Sequence, residues 1–162
     1  MGGDVAEYSY GVVTPDILKS QDGISFLKGI IAGTHPNPPV SKVLGFHLVS
    51  VESGRAAFEG LPKYELYNPI GTVHGGFAAT LLDSALGCAI FSTLEQGDAW
   101  TTVELKVNFV RPMTKEIGVV RAEGRIIHRG RTLATSQGDL KDRAGKLYAH
   151  AVTTCMIFPA KG

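Results

Sequence analysis

Residues 77–94 read FAATLLDSALGCAIFSTL. The large apolar side chains Phe77, Leu81, Leu82, Leu86, Ile90, Phe91 and Leu94 spread all around a helix of this length instead of forming one stripe. A helix without a polar face has to be surrounded. The stretch is short for a membrane span, carries Asp83 and several hydroxyls, and has no flanking basic residues, so it predicts a helix enclosed by a protein core. Asp83 is its one charged residue. A carboxylate among Leu81, Leu82, Ala85 and Leu86 loses solvation that something must replace. Either it serves chemistry, or it emerges at an exposed strip or takes a structural hydrogen bond.

Upstream, GFHLVSVESGRAAFEGL (45–61) predicts two strands about a Ser53-Gly54 turn, with Phe46, Leu48 and Val49 before it and Ala57, Phe58 and Leu61 after it. Before that, ISFLKGIIAG puts Ile24, Leu27, Ile30 and Ile31 on one helical face, and HPNPP (35–39) reads as a loop. Residues 1–21 are polar and aperiodic and read as a flexible arm, leaving 22–162 as a single domain. Downstream, TTVELKVNFV, GVVRAEGRIIHRG, RTLATSQGDL and KLYAHAVTTCMIF predict four strands joined by turns at Pro112, Arg129-Gly130 and Ala144-Gly145. Connections this tight predict an antiparallel meander. A curved antiparallel sheet wrapped around the long central helix, an α+β fold, is the simplest way to bury that helix.

The bulk numbers agree with one domain: 162 residues, 44% hydrophobic, suffice for a real core. Sixteen Lys and Arg against fifteen Asp and Glu give no polyelectrolyte field, so nucleic acid is not an expected partner, nor is a membrane. Cys88 and Cys155 sit in separate apolar runs and read as reduced core residues. The N-terminus shows no basic-then-apolar leader, which makes the cytoplasm the expected location.

Chemistry gathers just before the central helix. In Tyr67–Gly76 (YNPIGTVHGG) the backbone N–H groups around His74 to Gly76 lie at a helix N-terminus, where they lack intrahelical partners and the dipole favours charge developing on a carbonyl oxygen. The plainer account of Gly75-Gly76 is close packing of a loop. Elsewhere there is no Gly-x-Ser-x-Gly elbow, Walker loop, Gly-x-Gly-x-x-Gly or His-Glu-x-x-His, so neither a metal nor a nucleotide cofactor is expected.

Together, NPIGTVHGGFAATLLD (68–83), NFVRPM (108–113) and HRGRTLA (128–134) resemble the hotdog-fold acyl-CoA thioesterases of the phenylacetate-pathway (PaaI-like) type, relatives of the 4-hydroxybenzoyl-CoA thioesterases. The likeness runs from about Val43 to Phe158. It implies a hotdog fold and hydrolysis of an acyl- or aryl-CoA thioester. The residue matching Asp83 would be nucleophile or general base, that matching Asn68 would orient water or thioester, and the Gly75 N–H would polarise the carbonyl. A hydroxyl matching Thr102 would hold the water, with Thr101 competing for that position. It also implies a homodimer or a tetramer of paired dimers, the active site lying across the interface with Asn68 and Gly75 from one chain and Asp83 and Thr102 from the other.

The chemistry is coherent in its own right, since a thiol of pKa about 8.5 leaves with little protonation and one base plus carbonyl polarisation can suffice. Coenzyme A is then part of the substrate, and its phosphates suit the basic turn of His128, Arg129 and Arg131 around Gly130, with Arg111 and Lys106 adding to it. A solvated hairpin tip has the same composition. His74 reads as a helix cap before it reads as an acid, Ser84 as a helix-face residue, and Glu104 as a surface charge. Phe77, Leu81 and Phe46 are the candidate acyl-pocket residues, and core residues would look the same in sequence. Two other functions fit the same architecture: a hydratase or dehydratase using His74 with Asp83 on enoyl thioesters, and an acyl-CoA binding module without turnover.

Overall fold

The computed structural model describes residues 8–160. The hairpin of β1 (Phe46–Glu52) and β2 (Arg55–Gly60) turns at Gly54, whose φ of +79° belongs to a residue without a Cβ. The buried helix follows as α4 (Gly75–Phe91), with ten of its seventeen residues buried. Strands β3 (Asp98–Phe109), β4 (Val120–Arg129), β5 (Leu133–Asp142) and β6 (Leu147–Pro159) complete one six-stranded antiparallel sheet in the order β1-β2-β4-β5-β6-β3. The sheet curves about α4, which is the hotdog fold that the resemblance implied.

The expected four-strand meander needs a correction. β4–β5 and β5–β6 pair as expected, but β3 lies beyond β6 and pairs with it from Asp98 opposite Pro159 to Phe109 opposite Ala149, while β4 pairs with β2. The chain around Pro112 is a crossover instead of a tight turn. It passes the start of α4, where Val73 N donates to Met113 O at 2.9 Å and Lys115 N donates to the Tyr67 hydroxyl at 2.8 Å. Buried Met113 closes that end of the core.

The helix sits directly on the sheet because two glycines face each other across β4 and β5. Gly124 and Gly138 are register partners. A Cβ on Gly124 would stand 2.4 Å from the Ala85 carbonyl oxygen, and one on Gly138 would stand 2.7 Å from Leu86 Cδ1. Ser136 Oγ donates to the Leu86 carbonyl at 3.0 Å, a polar tie in an otherwise apolar contact.

Helix α2 (Gly23–Ile31) forms where its apolar spacing predicted, with Asp22 accepting from Ser25 N at 2.8 Å as its cap. The HPNPP loop is shorter than expected. Pro39 instead starts a helix, α3 (Pro39–Leu44), because proline tolerates the first helical position and Gly45 at φ +72° ends the turn. Of the segment expected as a flexible arm, residues 1–7 lie outside the described residues. Residues 8–21 carry a short helix, α1 (Pro15–Lys19), and a bridge from Tyr10 to Asn37. No helix among the described residues is long and apolar enough to cross a membrane.

The close approach at Gly124 predicts that Gly124→Ala lowers unfolding free energy by about 3 kcal/mol, the upper end of overpacking costs, because backbone must move. Urea melts check this, and an unchanged midpoint would contradict the packing.

Candidate active site

Asp83 emerges half-buried on the side of α4 that faces β3. Thr102 Oγ1 donates to Asp83 Oδ1 at 3.0 Å. Of the two candidate threonines, Thr101 is exposed, whereas Thr102 points inward at the carboxylate. A bulge follows at once, since Thr102 opposes Cys155 and Glu104 opposes Thr154, leaving Val103 outside the ladder. Cys155 Sγ lies 3.8 Å from the Thr102 hydroxyl. With Oδ1 held by a neutral donor, Oδ2 is the oxygen left to act on a substrate or a water.

Asn68 and Gly75 occupy the start of α4. Asn68 Oδ1 accepts from Ile70 N at 3.1 Å and Thr72 N at 3.2 Å, and its Nδ2 donates to Thr72 Oγ1 at 2.9 Å, so the side chain also fixes the loop that carries it. Gly75 is the first residue of α4, where a backbone N–H has no intrahelical acceptor. The Phe109 ring packs over it, and a Cβ there would meet that ring at 3.1 Å. His74 is exposed and caps the helix, its Nδ1 accepting from Gly76 N at 2.9 Å. Ser84 Oγ donates to the Thr80 carbonyl at 2.8 Å and Glu104 is exposed, as the sequence suggested for both.

Within one chain these residues form two groups. Gly75 and Asp83 are eight residues apart on one helix, a rise of about 12 Å. That is too far for a single thioester carbonyl to touch the Gly75 N–H while its carbon stands at the carboxylate.

The basic residues also divide. Arg129 is turned inward, donating to the Gly130 carbonyl and standing 3.6 Å from the Asp98 carboxylate, while His128 and Arg131 are exposed. Arg111 donates to the Leu147 carbonyl at 2.6 Å, whereas the Gly130 turn is tied to Ile157 through Thr132. Ten residues of β6 separate those anchors, about 33 Å. Arg111 is therefore not part of the same turn in one chain. Phe77, Leu81 and Phe46, the expected pocket residues, are 3%, 0% and 1% exposed and serve as core.

Sequence reasoning missed Trp100 and read Cys88 only as a reduced core residue, without placing it near Asp83. Trp100 stacks on Phe91 with ring centroids 3.9 Å apart. Cys88 keeps some accessible surface yet stands deep among its neighbours. Burial pushes its thiol up to about 12, with the negative charge of Asp83 acting in the same direction. Spacing offered one signal, since Trp100 is two residues from Thr102 and so shares its face of the strand. Among the described residues no group of His, Cys, Asp and Glu is arranged to hold a metal ion.

Comparison with known proteins bears on the family and the fold. Residues 70–149 match the family described as the thioesterase superfamily. Human acyl-coenzyme A thioesterase 13 is 34% identical over 110 residues, covering 67% of this chain and 77% of that protein. The solved structure of a phenylacetic acid degradation-related protein from Ralstonia eutropha JMP134 superposes with a TM-score of 0.73 at 31% identity, covering 81% of this chain and 98% of that one. A thioesterase family protein from Silicibacter pomeroyi gives 0.72 at 28% identity, covering 85% and 98%.

A thiol with its pKa near 12 supplies almost no thiolate at pH 8. Native protein should therefore leave Ellman's reagent unreacted at Cys88 over minutes, with both thiols titrating only after unfolding in urea. One fast equivalent in the native state would contradict this environment.

Proposed function

The chain belongs to the thioesterase superfamily, and on that premise we propose that it hydrolyses an acyl- or aryl-coenzyme A thioester to the free acid and coenzyme A. The observation that carries the reading is the hydrogen bond between Thr102 and Asp83 Oδ1, which orients the carboxylate and leaves Oδ2 without a hydrogen bond among the described residues. Asp83 Oδ2 takes a proton from water as that water attacks the thioester carbon. The Gly75 N–H at the positive end of α4 stabilises the developing oxyanion. The carbon–sulfur bond then breaks, the coenzyme A thiolate leaves, and the proton passes from Asp83 to the thiolate or to solvent. Direct attack by the same oxygen on the carbonyl is the other route its position allows.

The two groups of residues meet if two chains pair through β3. This strand is one of the two edges of the sheet, with β1 at the other, and at twelve residues the longer, with no fully buried side chain, and edges of that kind invite pairing. Antiparallel pairing about a two-fold axis near mid-strand sets the Phe109 end of one β3 beside the Asp98 end of the other. Gly75 lies under Phe109, so it and Asn68 approach the partner's Thr102–Asp83 pair. Arg111 likewise approaches the partner's His128–Arg131 turn. In this arrangement His128 and Arg131 meet the coenzyme A phosphates, Arg111 joins from the second chain, and Arg129 with Gly130 shapes the turn. His74, capping α4, positions the Gly75 amide. That role favours hydrolysis over a hydratase, which would need the same imidazole to move protons with Asp83.

Asp83→Asn should lower kcat for thiol release by about 10²- to 10⁴-fold, the usual worth of a positioned base, with affinity for coenzyme A esters retained. Thr102→Val should cost about five- to tenfold, one hydrogen bond of about 1 kcal/mol. Normal turnover in Asp83→Asn would remove the carboxylate from the mechanism. Interconversion of enoyl and 3-hydroxyacyl esters without free thiol would favour the hydratase.

A further inference from the structure

Asp83, Gly87 and Phe91 recur every four residues and stack on one face of α4, while Thr102 and Trp100 share one face of β3. The two rows run in register. Thr102 meets Asp83, a Cβ on Gly87 would touch Trp100 Nε1 at 3.5 Å, and the Trp100 ring lies on Phe91 with planes 17° apart. At its Phe91–Trp100 end, about 12 Å along α4 from Asp83, this seam borders a cavity of about 320 Å³ walled by Val13, Leu27, Ile30, Cys88, Phe91 and Trp100. Its lining carries no charged side chain. Cys88 contributes a neutral thiol, which behaves as a small apolar group.

The outer wall is the segment Gly11–Val13. Gly11 N donates to Asn37 O at 3.0 Å and Asn37 N donates to Ser9 O at 2.8 Å, two bonds that fasten this strap to the proline loop. The strap and α2 both lie outside the family match at 70–149, so one side of the cavity is set by the part of the chain that the match does not describe, while Cys88, Phe91 and Trp100 within the match form the other.

We propose that this cavity receives the acyl group of the thioester, and that the strap at residues 11–13 with α2 limits its length. The inference rests on the thioesterase reading, because Asp83 marks where the carbonyl stands. A lining of this kind selects an apolar acyl group and rejects one bearing charge, whose desolvation nothing would offset. At about 30 Å³ for a water-sized group, the volume holds on the order of ten methylene-sized units. The acyl chain is thus of medium length, and an unsubstituted aryl group of similar size also fits.

Trp100 is the only tryptophan of the chain, so its emission reports on the cavity directly. Wild type is titrated with non-hydrolysable S-alkyl thioethers of coenzyme A from ethyl to dodecyl, and kcat/KM is measured on the matching acyl esters. Emission should change with a dissociation constant falling about fourfold per added methylene, 0.8 kcal/mol each, until the cavity is full. Val13→Phe, which narrows the strap side, should lower the ratio of kcat/KM for decanoyl over acetyl ester by about tenfold or more. Thiol release with emission blind to chain length, or an unchanged ratio in Val13→Phe, would overturn the acyl pocket and leave hydrolysis standing. Emission that follows protein concentration instead of the probe would assign the cavity to a second copy and overturn it too. Chain-length-dependent emission without thiol release from any ester would keep the pocket and remove the hydrolase.

Discussion

Burying most of α4, ten of its seventeen residues, removes water from a helix that also carries an ionisable residue, and the surrounding structure answers both demands at once. The apolar part is met by the sheet, which has to curve to reach around a cylinder and has to come close to leave no void. Gly124 and Gly138 provide that closeness at the centre of β4 and β5, where any side chain would strike backbone or Leu86. The crossover through Met113 and the start of α2 against the end of α4, where Gly23 N donates to the Leu94 carbonyl, close the two ends.

The ionisable part is met by β3. A cation beside Asp83 would have compensated the charge and blunted its basicity together, because an ion pair favours the ionised form. Among the described residues the salt bridges involve other acids, and Asp83 is held by the hydroxyl of Thr102. A neutral donor orients the carboxylate without adding an opposite charge beside it. Because β3 is also an edge of the sheet, the strand that positions the carboxylate is one through which a second chain can bring an oxyanion donor.

Much of this was legible in local pattern. The missing polar face of residues 77–94 dictated an enclosed helix, and Asp83 stood out against it. Ser53-Gly54 marked the hairpin, and the inward direction of Thr102 follows from its alternation along β3. Strand order was not legible. The partner of β3 is β6, some forty residues further on, and period-two alternation records which face is buried but not which neighbour is adjacent. The acyl-pocket candidates stayed ambiguous for a related reason: Phe77, Leu81 and Phe46 have the composition of a pocket and the burial of a core, and sequence does not separate the two. Val13 was hidden because a short segment held by two backbone hydrogen bonds has no periodicity to betray it. Arg111 was grouped with His128 and Arg131 by charge alone, while the length of β6 sets them at opposite ends.

The account stands or falls on a site assembled from the Asn68–Gly75 region of one chain and the Asp83–Thr102 pair of another. Asn68→Ala and Asp83→Asn, each inactive or nearly so alone, should be mixed, unfolded and refolded together, and thiol release measured per chain. Half of the dimers are then mixed, and each mixed dimer holds one site with both halves intact, so activity should recover to about a quarter of wild type. Activity no higher than the average of the two variants, with subunit exchange shown, would place all four residues in one chain's site and contradict the assembly.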